Sequence, residues 1–392
     1  MRVLLVSDYG YPAGGAELML LHLRDELRQR GHDVQFFASR VSDPGKPVLA
    51  DYSCFGTDSG FRTVLQTANP WAARELSRVI REFKPDVVHV RMFLTQLSPL
   101  ILPVLKNVPS IYHLAWYRSI CPTGTKFLPD GRLCEVRHGR VCLSNNCLPM
   151  RDWVPLMIQM RLLRRWRHHF NLLVANSHAV KLRLEAEDFG PVEVVHNGIP
   201  LSAQLARFDS RPTACFAGRL VKVKGAHILL DAFEEVLRKL PGASLLIAGD
   251  GPERTRMERT VQEKGLESSI RFLGFVPPDS LAEELRAAWV HVVPSQWAEP
   301  FGIVAVEAMM RGQAVIASDH GGLSEIVRHD ETGLLVKPND SQALASALIR
   351  VLENRDYAQS LGAAAYQRAV EKFSLETFCD RFIEYYRELA GA

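Results

Sequence analysis

VHVVPSQWAEPFGIVAVEAMMRG, residues 290–312, sets the reading of the chain. VHVVPS is a short β-branched run, a buried strand. SQWAEPFG is its exit loop. Pro300 disfavours helical geometry at Glu299 and keeps that carboxylate on the loop. Gly302 and its neighbours begin a helix whose first N–H groups face the same space. Glu307, eight residues after Glu299, lies about one and a half turns into a helix that otherwise reads apolar. A carboxylate there needs partners or a ligand. Vicinal hydroxyls of a ribose fit, because a carboxylate accepts two hydrogen bonds. Two ordinary surface acids are the bland alternative.

The same strand–loop–helix unit recurs along the chain. RVLLVSD (2–8), DVQFFAS (33–39), PDVVHVR, IYHL (111–114), LLVANS (172–177) and VEVVHNGI (192–199) read as strands, with helices between them. The pattern restarts with TACFAGRL (213–220), SLLIAGDG (244–251), IRFLGFV, VHVVPS and AVIAS. Alternation of this kind predicts an α/β fold of two Rossmann-like, doubly wound domains facing a cleft. The expected bounds are 1–205 for the first domain and 206–373 for the second. The amphipathic helix in 374–392 is expected to pack back toward the first domain. In open parallel sheets ligands sit beyond the carboxyl ends of the strands, so the informative residues follow each strand.

Composition narrows the function classes. With 392 residues and 47% apolar content the chain has room for a large core, which excludes global disorder. No run approaches the ~20 apolar residues of a spanning helix, and RVLLVSDYG is too short for a signal peptide's apolar region. The expected location is cytoplasmic. Residues 1–205 hold 25 of the 47 Lys/Arg and 18 of the 44 Asp/Glu, a balance of +7. The rest balances at −4, 22 against 26. Much of the excess sits in RLLRRWRHHF, 161–170, read either as a solvated helix face or as a peripheral contact at the inner face of a membrane. Nucleic acid is not an expected partner: the basic charge is local and has no interleaved aromatic platform.

Further loops carry candidate ligand groups. Gly14 and Gly15 precede a helix and allow close approach to phosphate, but the run is not G-x-G-x-x-G. GRLVKVKG places Arg219 and Lys224 five apart after a strand, a fork and a point charge suited to a diphosphate. GDGPE (249–253) is a tight turn into a helix. Each alone is weak: a plain turn and two solvated cations are the alternatives.

Together, and in this order, the motifs resemble the retaining family-4 glycosyltransferases of bacterial type, which have the two-domain GT-B fold. The resemblance covers nearly the whole chain and is most specific from Ala217 to Gly333, where HGGLSEIV (320–327) and ETGLLV (331–336) also match. It implies a retaining hexosyltransferase that moves a sugar from a nucleotide diphosphate to an acceptor hydroxyl in glycan, polysaccharide or glycoconjugate biosynthesis. The acceptor class is a glycan, a lipid-linked molecule or a small aglycone. By that resemblance Arg219 and Lys224 bind the diphosphate, and Glu307 the ribose. Glu299, with the N–H groups of Phe301 and Gly302, meets the sugar. Gly14 and Gly15 lie by the phosphates, and Gly274 and Phe275 by the base. His113 aligns with a histidine that contacts the sugar, although Leu114 stands where the family often has Asp. Two cations replace the divalent metal, so no cofactor is required for catalysis. A silent nucleotide-binding partner and a sugar-nucleotide epimerase or hydrolase are the rival readings.

Four cysteines, Cys121, Cys134, Cys142 and Cys147, fall in one insertion with gaps of 12, 7 and 4 residues. This is not paired C-x2-C spacing. A structural zinc, plain buried thiols and a redox role stay open, with the zinc expected to order the loop. The resemblance extends to a subgroup with such a Cys-bearing insertion.

Overall fold

The computed structural model describes residues 1–43, 45, 47–209 and 211–391. They form two compact units, Met1–Gly198 with Leu375–Ala392, and Ile199–Ser374. In the first, β1 (Arg2–Tyr9), β2 (Asp33–Ser39), β3 (Tyr52–Cys54), β4 (Val87–Val90), β5 (Ser110–Leu114), β6 (Leu172–Ala175) and β7 (Glu193–Val194) make one sheet. Its order is β3-β2-β1-β4-β5-β6-β7, parallel throughout. In the second, β8 (Thr213–Ala217), β9 (Ser244–Ala248), β10 (Ile270–Gly274), β11 (Val290–Val293), β12 (Ala314–Ser318) and β13 (Gly333–Val336) pair as β10-β9-β8-β11-β12-β13, again all parallel. The central strands β4, β5, β8, β11 and β12 are buried along their whole length. That is what helices on both faces require, and why these strands read as apolar runs rather than alternating ones. Both sheets reverse direction of growth beside their first strand, the doubly wound arrangement.

The helix Leu375–Ala390 belongs to the first unit. Phe378, Phe382, Ile383 and Tyr386 join a core with Val3, Leu5, Leu20, Leu23 and Ile111. Tyr386 Oη lies 2.6 Å from His89 Nδ1. The division falls after Gly198, seven residues earlier than the 205 read from the sequence, because the linker is pinned to the second unit. Ile199 N–H donates to Phe373 O at 2.8 Å, and Ala206 N–H to Arg311 O at 2.7 Å.

The basic segment is not one solvated face. Arg167 lies over the Phe189 ring at 5.0 Å and donates to Asp188 O, while Arg164 donates to Glu187 O at 3.4 Å. Burial lowers both guanidinium pKa values. Arg161 and Arg165 alone of the four arginines in 161–167 point to solvent.

The cysteine insertion also differs from the zinc expectation. All four thiols are free. A tetrahedral Zn–S cage sets sulphurs ~3.8 Å apart, yet no three of these four sulphurs lie within 4.8 Å of one another. Cys121 Sγ instead sits 3.1 Å from Thr123 Oγ1, and Cys134 Sγ 3.7 Å from Val136 O. The residues present do not fit a zinc cage in this arrangement. Order comes from a buried ion pair. Lys126, in a left-handed conformation (φ 51°), donates to the Glu187 carboxylate and to Val136 O at 2.8 Å. Trp153 Nε1–H adds a bond to Gly139 O at 2.9 Å.

Removing one partner of such a pair strands a charge, at a cost on the order of 3–5 kcal/mol. Glu187→Gln should therefore move the first unfolding transition in urea to lower concentration. Adding Lys126→Met should recover part of the loss. An unchanged midpoint in Glu187→Gln would show that the pair does not hold the loop.

Candidate functional site

The exit loops of the second sheet are joined to one another in the order of its strands. Gly249 N–H donates to Gly274 O at 2.7 Å, linking β9 to β10. Gly218 N–H donates to Ala248 O at 2.9 Å and Leu220 N–H to Asp250 O at 2.8 Å, linking β8 to β9. Gln296 N–H reaches Val223 O at 2.8 Å, between β8 and β11. Gly322 N–H reaches Glu299 O at 2.8 Å, between β11 and β12. The result is a continuous wall of loops along the carboxyl edge, where open parallel sheets bind ligands.

One close approach sets the chemistry of that wall. Gly225 has φ 72°, and a Cβ there would fall 1.8 Å from Pro294 O. Only glycine lets the turn Lys222–Lys224 lie against the β11 exit in this way. Lys224 Nζ then meets Glu299 Oε1 at 2.6 Å. Gly321 and Gly322 perform the same service on the far side, where an added Cβ would come within 2.5 Å of Glu299 O and of Phe301 Cα.

Glu299 is buried. Burial pushes its pKa up, but Lys224, Ser295 and Trp297 outweigh burial and hold it below the ordinary carboxylate value. Lys224 Nζ also stands 5.7 Å over the Trp297 ring. Ser295 Oγ–H donates to Glu299 Oε1, and His320 Nε2–H donates to Ser295 O at 3.0 Å. Burial lowers the His320 pKa, so the ring is neutral with its proton on Nε2. Ser295, Trp297 and His320 are the residues that sequence reasoning passed over. Their signal was present, since all three lie in the quoted PSQWAEPFG and HGGLSEIV runs after strands.

Glu307 differs from Glu299. It stands on the helix Ile303–Met310, half-buried. Burial raises its pKa, with Arg311 pulling the other way. Its carboxylate makes no hydrogen bond or ion pair within 4.0 Å among the described residues. Arg219 is exposed at the end of β8 and is likewise unpaired among the described residues. Phe275, just past β10, is 74% exposed. Gly302 (φ 117°) starts the helix, whose first N–H groups have no partner within it. The edge thus presents an ion pair already made, a free guanidinium, an open carboxylate and a bare aromatic face.

The first unit places its candidates separately. Gly14 caps the helix Gly15–Gln29, and buried Glu17 stands in its first turn. His113 is corrected by the structure. It shares a β5 face with Ile111, under the helix Leu375–Ala390, and is fully buried. Its ring packs 4.8 Å from Phe382. Arg91 Nη1 donates to its Nδ1 at 2.7 Å, and Arg91 Nη2 to Asn197 Oδ1 at 2.9 Å. Burial, then Arg91 and His89, drive its pKa well below the ordinary value. A neutral ring held in this way positions the core; it is not open to a sugar.

The Glu299 shift makes a pH test. A depressed carboxyl pKa contributes stability above the unfolded value and loses it as pH falls through the folded value. The stability gap between wild type and Glu299→Gln should be steady from pH 7 to about pH 5 and close below about pH 4. Calorimetry across that range checks it; a gap that widens on acidification would contradict the ion pair.

Comparisons with known proteins agree on one family. Residues 13–203 match the description Glycosyltransferase Family 4, and residues 200–368 match Glycosyl transferases group 1. A phosphatidyl-myo-inositol mannosyltransferase of Mycobacterium tuberculosis is 30% identical, over 100% of this chain and 98% of its own length. A D-inositol 3-phosphate glycosyltransferase of Nocardia farcinica is 36% identical, over 91% of this chain and 81% of its own. Among solved structures, a sucrose-phosphate synthase from Thermosynechococcus elongatus superposes with TM-score 0.75 at 25% identity, covering 99% of both chains.

Proposed function

This chain belongs to the group 1, family 4 glycosyltransferases and is a glycosyltransferase of glycoconjugate biosynthesis with the GT-B fold, and on that premise we propose how its second domain handles a donor. The donor is a nucleoside diphosphate hexose. The observation that carries the reading is the Lys224–Glu299 pair on the carboxyl edge, beside an unpaired Arg219 and an open Glu307. Lys224 has three donors, so it can hold Glu299 and a phosphate oxygen together. Arg219 grips the diphosphate as a fork. Glu307 accepts from the ribose hydroxyls, and Phe275 stacks the base while the Gly274 region meets its edge. Glu299 and the helix start at Gly302 meet the hexose. The first domain takes the acceptor. The relatives' names make a phosphorylated polyol or a lipid-linked polyol the acceptor class to assay first.

Transfer proceeds with retention. The bond from C1 to the diphosphate breaks while the acceptor oxygen bonds to C1 on the same face, and the acceptor proton passes to the departing phosphate oxygen. Neither acid is assigned as a nucleophile: Glu299 Oε1 already accepts from both Lys224 and Ser295, and Glu307 is given to the ribose hydroxyls. The protein's contribution is electrostatic: two cations stabilise the leaving diphosphate in place of a metal.

Lys224→Ala should lower turnover by on the order of 10²-fold or more, with the circular dichroism spectrum unchanged. Retained turnover would sink the assignment. Thermal shifts with a panel of nucleotide sugars should show one nucleotide series that stabilises wild type and fails with Glu307→Ala. Stabilisation that survives Glu307→Ala would remove that residue from the donor site.

A further inference from the structure

The turn that closes the cysteine insertion singles out one pair of its thiols. The helix Val141–Ser144 is capped by Asn145, and Asn146 follows in the left-handed conformation (φ 54°). Cys147 N–H donates to Cys142 O at 2.9 Å, and Asn146 N–H to Leu143 O at 3.0 Å. These two bonds, one nested inside the other across a left-handed residue, make a Schellman cap. Asparagine is one of the few residues besides glycine that take the left-handed place readily. Leu148 N–H adds a second bond to Cys142 O at 3.2 Å. In such caps the side chains at the two ends of the longer bond commonly pack on each other, and an apolar pair serves there. Here both ends are cysteines, Cys142 and Cys147.

The other two thiols are engaged elsewhere, Cys121 Sγ against Thr123 Oγ1 and Cys134 Sγ against Val136 O. Cys142 Sγ has no hydrogen-bond partner among the described residues, and Cys147 Sγ lies 3.9 Å from Asn145 O. Of the other thiols, Cys142 weighs most on the charge of Cys147. Accessibility divides their roles. Cys147 is half-buried, so a small molecule can reach it, whereas Cys142 is buried. Burial also raises both thiol pKa values. A dithiol whose thiolates are not stabilised favours its oxidised form, the reverse of strongly oxidising pairs with stabilised thiolates.

We propose that Cys142 and Cys147 form a reversible disulfide site, oxidised by a low-molecular-weight disulfide, and that the bond fixes the turn leading into the helix Met150–Trp166. The Cys147 thiolate attacks one sulphur of the small disulfide, whose S–S bond breaks, and one small thiolate leaves. The Cys142 thiolate then attacks the Cys147 sulphur of the mixed disulfide, and the second small thiolate leaves. Two electrons pass from the protein to the small disulfide, and the two thiol protons go to the two thiolates released. The backbone is already hydrogen-bonded in the form the bond requires, so closure needs no rearrangement of the chain.

Peptide mapping of the full-length protein tests it, apart from the transfer reaction. Trypsin cuts after Arg140 and Arg151, so Cys142 and Cys147 leave together on 141–151, with Cys121 on 119–126 and Cys134 on 133–137. The protein is reduced, freed of reductant, exposed to glutathione disulfide and alkylated. Wild-type 141–151 should come back lighter by two hydrogens, with its alkylation down about tenfold from the reduced sample. Dithiothreitol should restore the alkylation. Cys142→Ser should stop at the mixed disulfide, with glutathione on Cys147, and Cys147→Ser should leave Cys142 unmodified. The wild-type map decides the bond without either variant. In urea, the first transition of the oxidised wild type should move to higher concentration than that of the reduced protein. Undiminished alkylation of 141–151, a bridge from it to 119–126 or 133–137, or a bond that leaves the urea transition in place would overturn the proposal.

Discussion

Gly225 lies against the Pro294 carbonyl because it has no side chain, and the chemistry of the second domain follows from that contact. A strand exit and a helix start that would otherwise stand apart are brought to backbone contact. Lys224 is the residue immediately before the glycine, so its amine is delivered to the loop that carries Glu299. The pair is costly to bury and costly to break. Desolvation opposes a charged Glu299, and the nearby amine with the Ser295 hydroxyl outweighs it. A loop with a neutral residue in place of either partner would leave the other charge without compensation. The geometry is therefore self-reinforcing: the glycine allows the approach, and the ion pair holds it.

Glu307 shows the complementary design on the same edge. Its helix supplies apolar neighbours and no hydrogen-bond donor from the described side chains, so burial raises its pKa where Glu299's is lowered. Two glutamates eight residues apart thus have opposite electrostatic character. One has its partners built in; the other has none among the described residues. Environment, not residue type, gives the two carboxylates their opposite shifts.

The sequence made the strand order of events legible and left most pairings unread. β2 and β12 fall on the residues their patterns indicate, since short apolar runs bounded by turn residues survive any packing. β3, with three residues, is too short to show a period. The helix Arg355–Phe373 escaped because it packs through small residues. Gly362 approaches Gly312 O so closely that a Cβ would fall 2.1 Å away, and Ala358, Ala365 and Ala369 fill its buried face. No stripe of large apolar residues marks such a helix. Lys224 and Glu299 could be placed on one edge from their position after strands, but not in contact, because that depends on a glycine in one motif meeting a proline carbonyl in another. His113 was misassigned for a related reason. Alternation says that it shares a face with Ile111, and only the helix Leu375–Ala390, at the far end of the chain, makes that face the covered one.

The arginines of 161–167 make the same point about charge. As composition they are one basic run. On the helix, steps of three and four residues sort them onto two sides. Arg164 falls beside Glu187 and Arg167, just past the helix, over Phe189, where they close the loop that Lys126 anchors from within. Arg161 and Arg165 follow the exposed line begun by Val154 and Ile158. Moving the run one residue toward the C-terminus would put the structural pair at the exposed positions 165 and 168 and the free pair at the half-buried positions 162 and 166. Net charge can report that a domain is basic. Only the phase of the helix decides which of its cations belong to the fold and which are left for a partner.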